Sequence, residues 1–449
     1  MSETSFLMKS TSLLGVFAFL FCAWLISTDR KNIQWRTIIW GVGLQFIFAV
    51  IVLHPTSQQF FFSAVSDGVA RLLSFSEQGA TFVFGTMETH DVSVVDPVTQ
   101  QRNTKTFIGA VTPSFKNVAF WIIFPTIIFF SSLMSILYHL KIMQPVVAGI
   151  AWVMQRTMGT TGPESLSTAA NIFVGQTEAP LVIRPYVQKM SKSELHAIMT
   201  AGFATVAGGV MAAYVGILSQ GIPNIAGHLV AASIMSAPAS LAISKLMMPM
   251  AKTEEGEVEQ EVEMDPEFSL EKDTQPASKN VIEAAARGAA DGMQLVWNVL
   301  AMLVAFVALM AMFNWMLGAI TIGDTQLSLE LILGYFFSPF AFLMGVPWEE
   351  STTVGMLLGE KLVLTEFVAY LHLGALMGAE QPVLSERSAV IASYALCGFA
   401  NFASIGIQIG GIGGIAPNRM SEIAGLGVRA MIGGTLAAFM TATIAGVLL

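Results

Sequence analysis

The chain has 449 residues, 54% hydrophobic and 12% charged, with a formal net charge of −9. Soluble domains carry about 25% charged residues, so the composition excludes an ordinary soluble globular protein. Ala251–Asp273 alone holds ten acidic and two basic residues; the remainder is near neutral, which leaves no electrostatic case for a nucleic-acid partner.

Apolar windows approaching the ~20 residues that cross a hydrocarbon core recur at Leu13–Ile26, Thr37–Leu53, Val118–Leu140, Leu295–Met316 and Met431–Leu449. They predict an all-α polytopic membrane protein. Cys22 and Cys397 lie in apolar stretches and the six histidines show no ligand spacing, so neither a disulfide framework nor a metal motif is predicted.

The first span is predicted over Leu13–Ser27. The flank Asp29-Arg30-Lys31 and the lack of a small-residue cleavage pattern mark a transmembrane helix rather than a signal peptide. Basic residues favour the cytoplasmic side, so Arg30, Lys31 and Arg36 place the N-terminus outside. The second span, Thr37–Leu53, returns outward. Residues 58–75 suit an interfacial helix, and 86–106 an external loop or short hairpin. A third span runs over Asn117–Tyr138, and 144–156 is an interfacial or re-entrant helix. A fourth span, Leu195–Leu218, contains Thr205-Val206-Ala207-Gly208-Gly209, which predicts an unwound centre. The fifth is Ile225–Leu246. The acidic segment 252–279 is predicted to be a disordered cytoplasmic linker. The sixth span is Met293–Leu317, Leu331–Glu366 a dipping hairpin, and Val390–Gly414 and Val428–Leu449 the last two spans, which places the C-terminus outside as well.

Between the third and fourth spans lies Val174-Gly175-Gln176-Thr177-Glu178-Ala179-Pro180, flanked by apolar pieces too short to cross singly. An unpaired glutamate at membrane depth costs at least a few kcal/mol, so this stretch is read as a site at the tip of a re-entrant hairpin; the bland alternative is a helix end at the membrane surface. Gly202-Phe203-Ala204-Thr205 reappears as Gly398-Phe399-Ala400-Asn401, and Thr177-Glu178 as Thr365-Glu366. Each unit is then span, hairpin, broken span, span. Three crossings per unit turn the second copy upside down, an arrangement that points to a transporter site near the midplane. The predicted units are 1–116 (scaffold spans, interfacial helix and external loop), 117–250 (first repeat), 251–279 (linker) and 280–449 (second repeat).

Broken helices free backbone carbonyls, and Asn171 and Thr205 add neutral oxygens of the kind hard cations prefer; the alternative is that these side chains only satisfy backbone. Asn401 and Ser404 share a face. Gln176 and Asn401 both donate and accept, whereas Glu178 and Glu366 accept when ionised. This mixture suits a hydroxylated solute with an amide-like ring, and Phe399 could pack on such a ring or simply on the core. The glycines at 406, 410–411 and 413–414 lack the strand and lysine of a phosphate loop and fit close helix packing.

Gly175-Gln176-Thr177-Glu178-Ala179-Pro180-Leu181, Glu366-Phe367-Val368-Ala369-Tyr370, Cys397-Gly398-Phe399-Ala400-Asn401-Phe402 and Ser404-Ile405-Gly406-Ile407-Gln408-Ile409-Gly410-Gly411 together resemble the concentrative nucleoside transporter family. The resemblance implies eight transmembrane helices plus two re-entrant helical hairpins, a homotrimer in the cell (inner) membrane, and elevator-like alternating access. By motif position, Gln176, Thr177 and Glu178 would contact the nucleobase. Glu366, Asn401 and Ser404 would hold the ribose, with Phe399 nearby. A coupling sodium ion would sit between Asn171, the Val174 carbonyl, Thr205 and the Val206 carbonyl, and no other cofactor is implied. A proton-coupled symporter is the alternative within this class. An intramembrane enzyme lacks a metal motif, a GxSxG element or a histidine partner, and a channel would not need two broken repeats.

Overall fold

A computed structural model of the chain describes residues 3–53, 55–84, 89–95, 102–108, 123–219, 221–250, 278–322, 325–379 and 381–449. These are almost entirely helical. Helices α1 (Glu3–Leu25), α2 (Trp35–Leu53) and α3 (Pro55–Phe84) open the chain. Strands β1 (Thr89–Val95) and β2 (Arg102–Ile108) pair antiparallel, with Thr89 opposite Ile108. The expected external segment at 86–106 thus contains a hairpin that runs two residues further; residues 86–88 and 96–101 lie outside the described residues.

Next come α4 (Phe124–His139) and α5 (Met143–Met158), bent by 82° at their junction. The first six residues of the expected third span, 117–122, lie outside the described residues. Helix α5 buries Met143, Val147, Ala151, Met154 and Met158, the one-sided spacing of an amphipathic helix. It ends at Gly159 in the left-handed region (φ 72°), a position glycine adopts without strain.

Helix α6 (Gly162–Asn171) begins in a capping box of Thr161 and Glu164. A 3-10 turn (Ala179–Ile183) and the short α7 (Arg184–Val187) follow it, and the 3-10 turn packs back on α6. Helices α8 (Lys192–Ala204) and α9 (Gly208–Leu218) are the two halves of the predicted broken span, and α10 (Ile225–Met247) is continuous through Pro238. Residues 252–277 of the predicted linker lie outside the described residues.

Helix α11 (Val281–Leu317) starts twelve residues before the predicted sixth span, because Asn280 caps it through the Glu283 amide and the polar turns beyond the apolar window continue the helix. At 1.5 Å per residue its 37 residues span roughly 55 Å, more than a bilayer core, so it tilts or protrudes. It packs on α4 through Gly288 and Gly292, where an added Cβ would lie 2.6 Å from the Ser131 oxygen and 2.8 Å from Ile128 Cα. Small residues four apart let helix backbones approach this closely. A short pair, β3 (Thr321–Ile322) with β4 (Thr325–Gln326), leads to α12 (Leu329–Leu343) and α13 (Trp348–Val363), bent by 119°, then α14 (Glu366–Met377).

The predicted second hairpin over 331–366 covers α12 and α13, which turn back on each other at Gly345-Val346-Pro347; Glu366 lies just beyond them, at a further turn that joins α13 to α14. His372 Nδ1 lies 2.8 Å from Glu360 Oε1; twelve residues along one helix would be ~18 Å apart, so the chain doubles back at Leu364–Thr365. Gly345-Val346-Pro347 marks the first of these turns in the sequence, whereas the second is made at Leu364–Thr365, without glycine, proline or a side-chain cap. The seventh predicted span is two short helices, α15 (Glu386–Leu396) and α16 (Phe402–Ile415), and α17 (Met420–Leu448) closes the chain. Among the described residues six helical segments are long and apolar enough to cross a membrane, and up to eight if each bent pair counts as one.

Each turned-back pair is fastened at its base to the helix that follows. Thr161 Oγ1 donates to Glu194 Oε1 (2.9 Å), and Glu194 itself accepts from Ser191 N at the start of α8 (2.8 Å). In the second half, Ser385 at the start of α15 donates through N and Oγ to Glu350 Oε2 on α13 (3.2 and 2.9 Å). The first base also holds a fully buried ion pair, Lys245 Nζ to Glu164 Oε2 at 2.7 Å. Glu164→Gln leaves that ammonium without its counter-charge, which costs about 3–5 kcal/mol. A clear drop in detergent unfolding temperature is expected, largely restored in the double variant with Lys245→Met; an unchanged temperature in the single variant would contradict this.

Candidate functional site

The two breaks are made by different local chemistry. At the first, Thr205 is extended (φ −112°, ψ 167°), and both its backbone N (3.2 Å) and its hydroxyl (2.8 Å) donate back to Ala201 O at the end of α8. At the second, Gly398 takes φ +110°, a conformation L side chains rarely adopt, and Asn401 caps α16 by accepting from Ser404 N (2.8 Å). The breaks touch: a Cβ on Gly398 would sit 2.6 Å from Phe203 O and 2.7 Å from Ala204 O. The crossing of the broken helices is therefore possible only with glycine there.

Both hairpin turns reach this crossing. Glu366, first residue of α14, is 4% exposed and accepts from Tyr214 Oη through Oε1 and from Asn401 Nδ2 through Oε2, both at 2.8 Å. A carboxylate is favoured at a helix N-terminus, where unpaired N–H groups and the macrodipole converge. From the other hairpin Gln176 Nε2 donates to Ser404 Oγ (3.2 Å), while its Oε1 accepts from Gln408 Nε2 (2.9 Å). Tyr214 stacks on Tyr370 at 4.3 Å between ring centroids, which closes the apolar side. Four of the expected substrate residues, Gln176, Glu366, Asn401 and Ser404, thus form one buried network drawn from both halves of the chain.

Glu178, Thr177 and Phe399 stand apart from that network. Glu178 is exposed, and its carboxylate turns back onto the Gly175 amide. Thr177 is half-buried beside Gly411, and Phe399 is half-buried on the larger core cluster.

The expected ion residues lie where α6 ends and α8 breaks. Gly208 N donates to Phe173 O (3.1 Å), which pins the segment holding Val174 against the segment holding Val206. Asn171 is fully buried, yet neither its Oδ1 nor its Nδ2 has a hydrogen-bond partner. An orphaned buried amide is costly, and it sits at a helix C-terminus where carbonyls lack intrahelical partners. This oxygen-rich, slightly negative corner fits a small hard cation.

Three further residues belong to the site. Tyr214 and Gln408 join the network directly. Lys361, 2% exposed, donates from Nζ to Ala395 O (2.9 Å) and Cys397 O (3.3 Å), neutralising the negative end of α15 beside the second break. Gln408 was detectable as the residue one helical turn beyond Ser404, and Lys361 as a cation five residues before Glu366 in an apolar stretch; nothing in the sequence singles out Tyr214. Lys361→Met leaves those carbonyls unpaired and is expected to lower stability by about 1–3 kcal/mol, measured as detergent unfolding temperature, with Lys361→Arg losing less.

Family models described as the N-terminus and C-terminus of a Na+ dependent nucleoside transporter match residues 14–87 and 228–446, and one described as nucleoside recognition matches residues 120–221. The chain is 42% identical to an uncharacterized transporter of Haemophilus influenzae, covering 97% of both chains. It is 43% identical to the Bacillus subtilis transporter YutK, covering 97% of this chain and 98% of the other. Solute carrier family 28 member 3 of Mus musculus is 40% identical and matches 97% of this chain, which spans 58% of that longer protein. Among solved structures, CNTnw in an inward-facing substrate-bound state is 37% identical, with a TM-score of 0.83 and 98% of both chains covered. The helices, the relatives and these folds define a multi-pass membrane transporter. The chain belongs to the concentrative nucleoside transporter family.

Proposed function

We propose that the protein is a secondary active symporter that imports nucleosides across the cell (inner) membrane, driven by a sodium gradient, with elevator-type alternating access. One observation carries the reading: Gln176, Ser404, Asn401 and Glu366, from two hairpins and a broken helix, share one buried chain of hydrogen bonds. Gln176, Thr177 and Glu178 face the nucleobase. Glu366, Asn401 and Ser404 bind the ribose hydroxyls, with Phe399 beside the ring. Asn171, Thr205 and the Val174 and Val206 carbonyls hold sodium.

The crossing of broken helices and the paired latches at the hairpin bases support an inverted repeat of 117–250 and 280–449, joined by the linker 251–279 and held by scaffold segments in 1–116. Eight spans with two re-entrant hairpins put both termini outside. Similarity to CNTnw variants in outward-facing and intermediate states, with TM-scores of 0.83 and 0.81, supports alternating access. The exposed apolar flank of α11, including Val304 and Trp315, is the surface on which a homotrimer would assemble. One sodium moving inward releases about 2.3 kcal/mol per 100 mV, so it can drive uphill movement of a neutral solute without catalysis.

Uptake of labelled uridine and adenosine into proteoliposomes tests the reading. Accumulation against a gradient is expected with inward sodium and not with potassium; accumulation that follows a pH gradient in sodium-free buffer would replace sodium with protons.

A further inference from the structure

An amide can turn by 180° without changing shape, so only its partners decide where its N–H and C=O point. At this site the decision starts from backbone. Met199 O can only accept, and it receives a hydrogen bond from Gln408 Nε2 at 3.1 Å. That contact fixes Gln408 with its nitrogen toward Gln176, where the same Nε2 lies 2.9 Å from Gln176 Oε1. Gln176 must then turn its own nitrogen toward Ser404 Oγ, 3.2 Å away. A second chain starts at Ser404 N, which can only donate: it fixes Asn401 Oδ1, and so directs Asn401 Nδ2 to Glu366. The two chains meet at Ser404, and neither can be reversed without opposing two like groups.

The consequence for Gln176 is asymmetric. Its carbonyl end abuts Gln408, a fully buried residue, and Gly202, where an added Cβ would lie 2.8 Å from Gln408 Nε2 and 3.0 Å from Gln176 Cβ. That end of the amide is packed against protein. Its nitrogen end has one N–H committed to Ser404 and a second uncommitted.

We propose that Gln408 is a specificity-determining positioning residue: by locking the Gln176 amide it makes an N–H, not a carbonyl, the group offered to the nucleobase. Bases with an acceptor at pyrimidine C4 or purine C6 are thereby favoured over those with an amino group. This rests on the reading that Gln176 meets the base.

Uridine and cytidine, and inosine and adenosine, exchange a carbonyl for an amino group at one ring position with little change in shape. Uptake kinetics in proteoliposomes should give the wild type a lower KM for uridine and inosine than for cytidine and adenosine. Gln408→Met keeps length and packing but cannot donate. It should raise the uridine KM about tenfold, leave the maximal rate within about twofold, and bring the uridine-to-cytidine ratio close to one. Gly202→Ala, which displaces the Gln408 amide without removing it, should narrow the ratio in the same direction, and thermal unfolding checks that both variants are folded. A Gln408→Met protein with the wild-type ratio, or a wild type without preference, overturns the proposal. Gln176→Ala separates the two levels: if it removes base discrimination while Gln408→Met does not, only the role of Gln408 fails; if it leaves discrimination intact, the base contact itself fails.

Discussion

Glu366→Gln is expected to lower nucleoside uptake at least about a hundredfold while the protein stays folded. The carboxylate already accepts from Tyr214 and Asn401, and its remaining lone pairs are those open to the hydroxyls of a ribose. Hydrogen bonds to a charged acceptor contribute about 1.5–3 kcal/mol each, so two of them account for a factor of about 10² or more. Folding survives for a reason visible in the network. Asn401 presents a donor to residue 366, which an amide can meet with its oxygen. The Tyr214 hydroxyl can rotate to accept from the amide nitrogen instead. Uptake of labelled uridine, with thermal unfolding as the folding control, measures both halves of this result. Substrates lacking one ribose hydroxyl should lose less in the variant than in the wild type. Near-normal transport by Glu366→Gln would remove the ribose assignment.

Asn171→Leu is expected to separate function from stability. Asn171 is a buried amide with neither polar atom paired, and such a group costs about 1–3 kcal/mol relative to an apolar one of the same size. In sodium-free buffer the leucine variant should therefore unfold at a temperature equal to or above that of the wild type. Sodium should raise the unfolding temperature of the wild type through mass action and leave the variant unmoved. Uptake by the variant should fall to the wild-type level measured in potassium. A variant that is less stable in potassium and still stabilised by sodium would place the ion elsewhere.

Much of the site was legible because its chemistry conflicts with its setting. Gln176, Glu366 and Asn401 are polar groups inside apolar sequence, and a membrane tolerates them only where partners converge. The breaks were legible for a similar reason: consecutive glycines at 208–209 and the repeated Gly-Phe-Ala weaken helices that must otherwise be continuous. The partners were less visible. Tyr214 bonds to Glu366 across 152 positions, and Glu164 meets Lys245 from helices that sequence does not align. The turn that carries Glu366 was less visible, because turn propensity reports local geometry, whereas the turn at Leu364–Thr365 is set by α13 and α14 packing together. Glu178 differs from them: its position in the motif gave it a place among the polar groups, and the contact of one carboxylate oxygen with the Gly175 amide is set by its own local turn.

In the proposed function the nucleoside and the sodium ion bind to one buried region held between two hairpins, so that each raises the affinity for the other. Linkage requires this coupling to be reciprocal. Equilibrium binding of labelled uridine to purified protein, in sodium and in potassium at equal ionic strength, is the most direct measurement. Uridine affinity at least about tenfold higher in sodium, matched by an equal gain in sodium affinity when uridine is present, is the expected result. Identical uridine affinity in the two salts would rule out coupling between the two ligands.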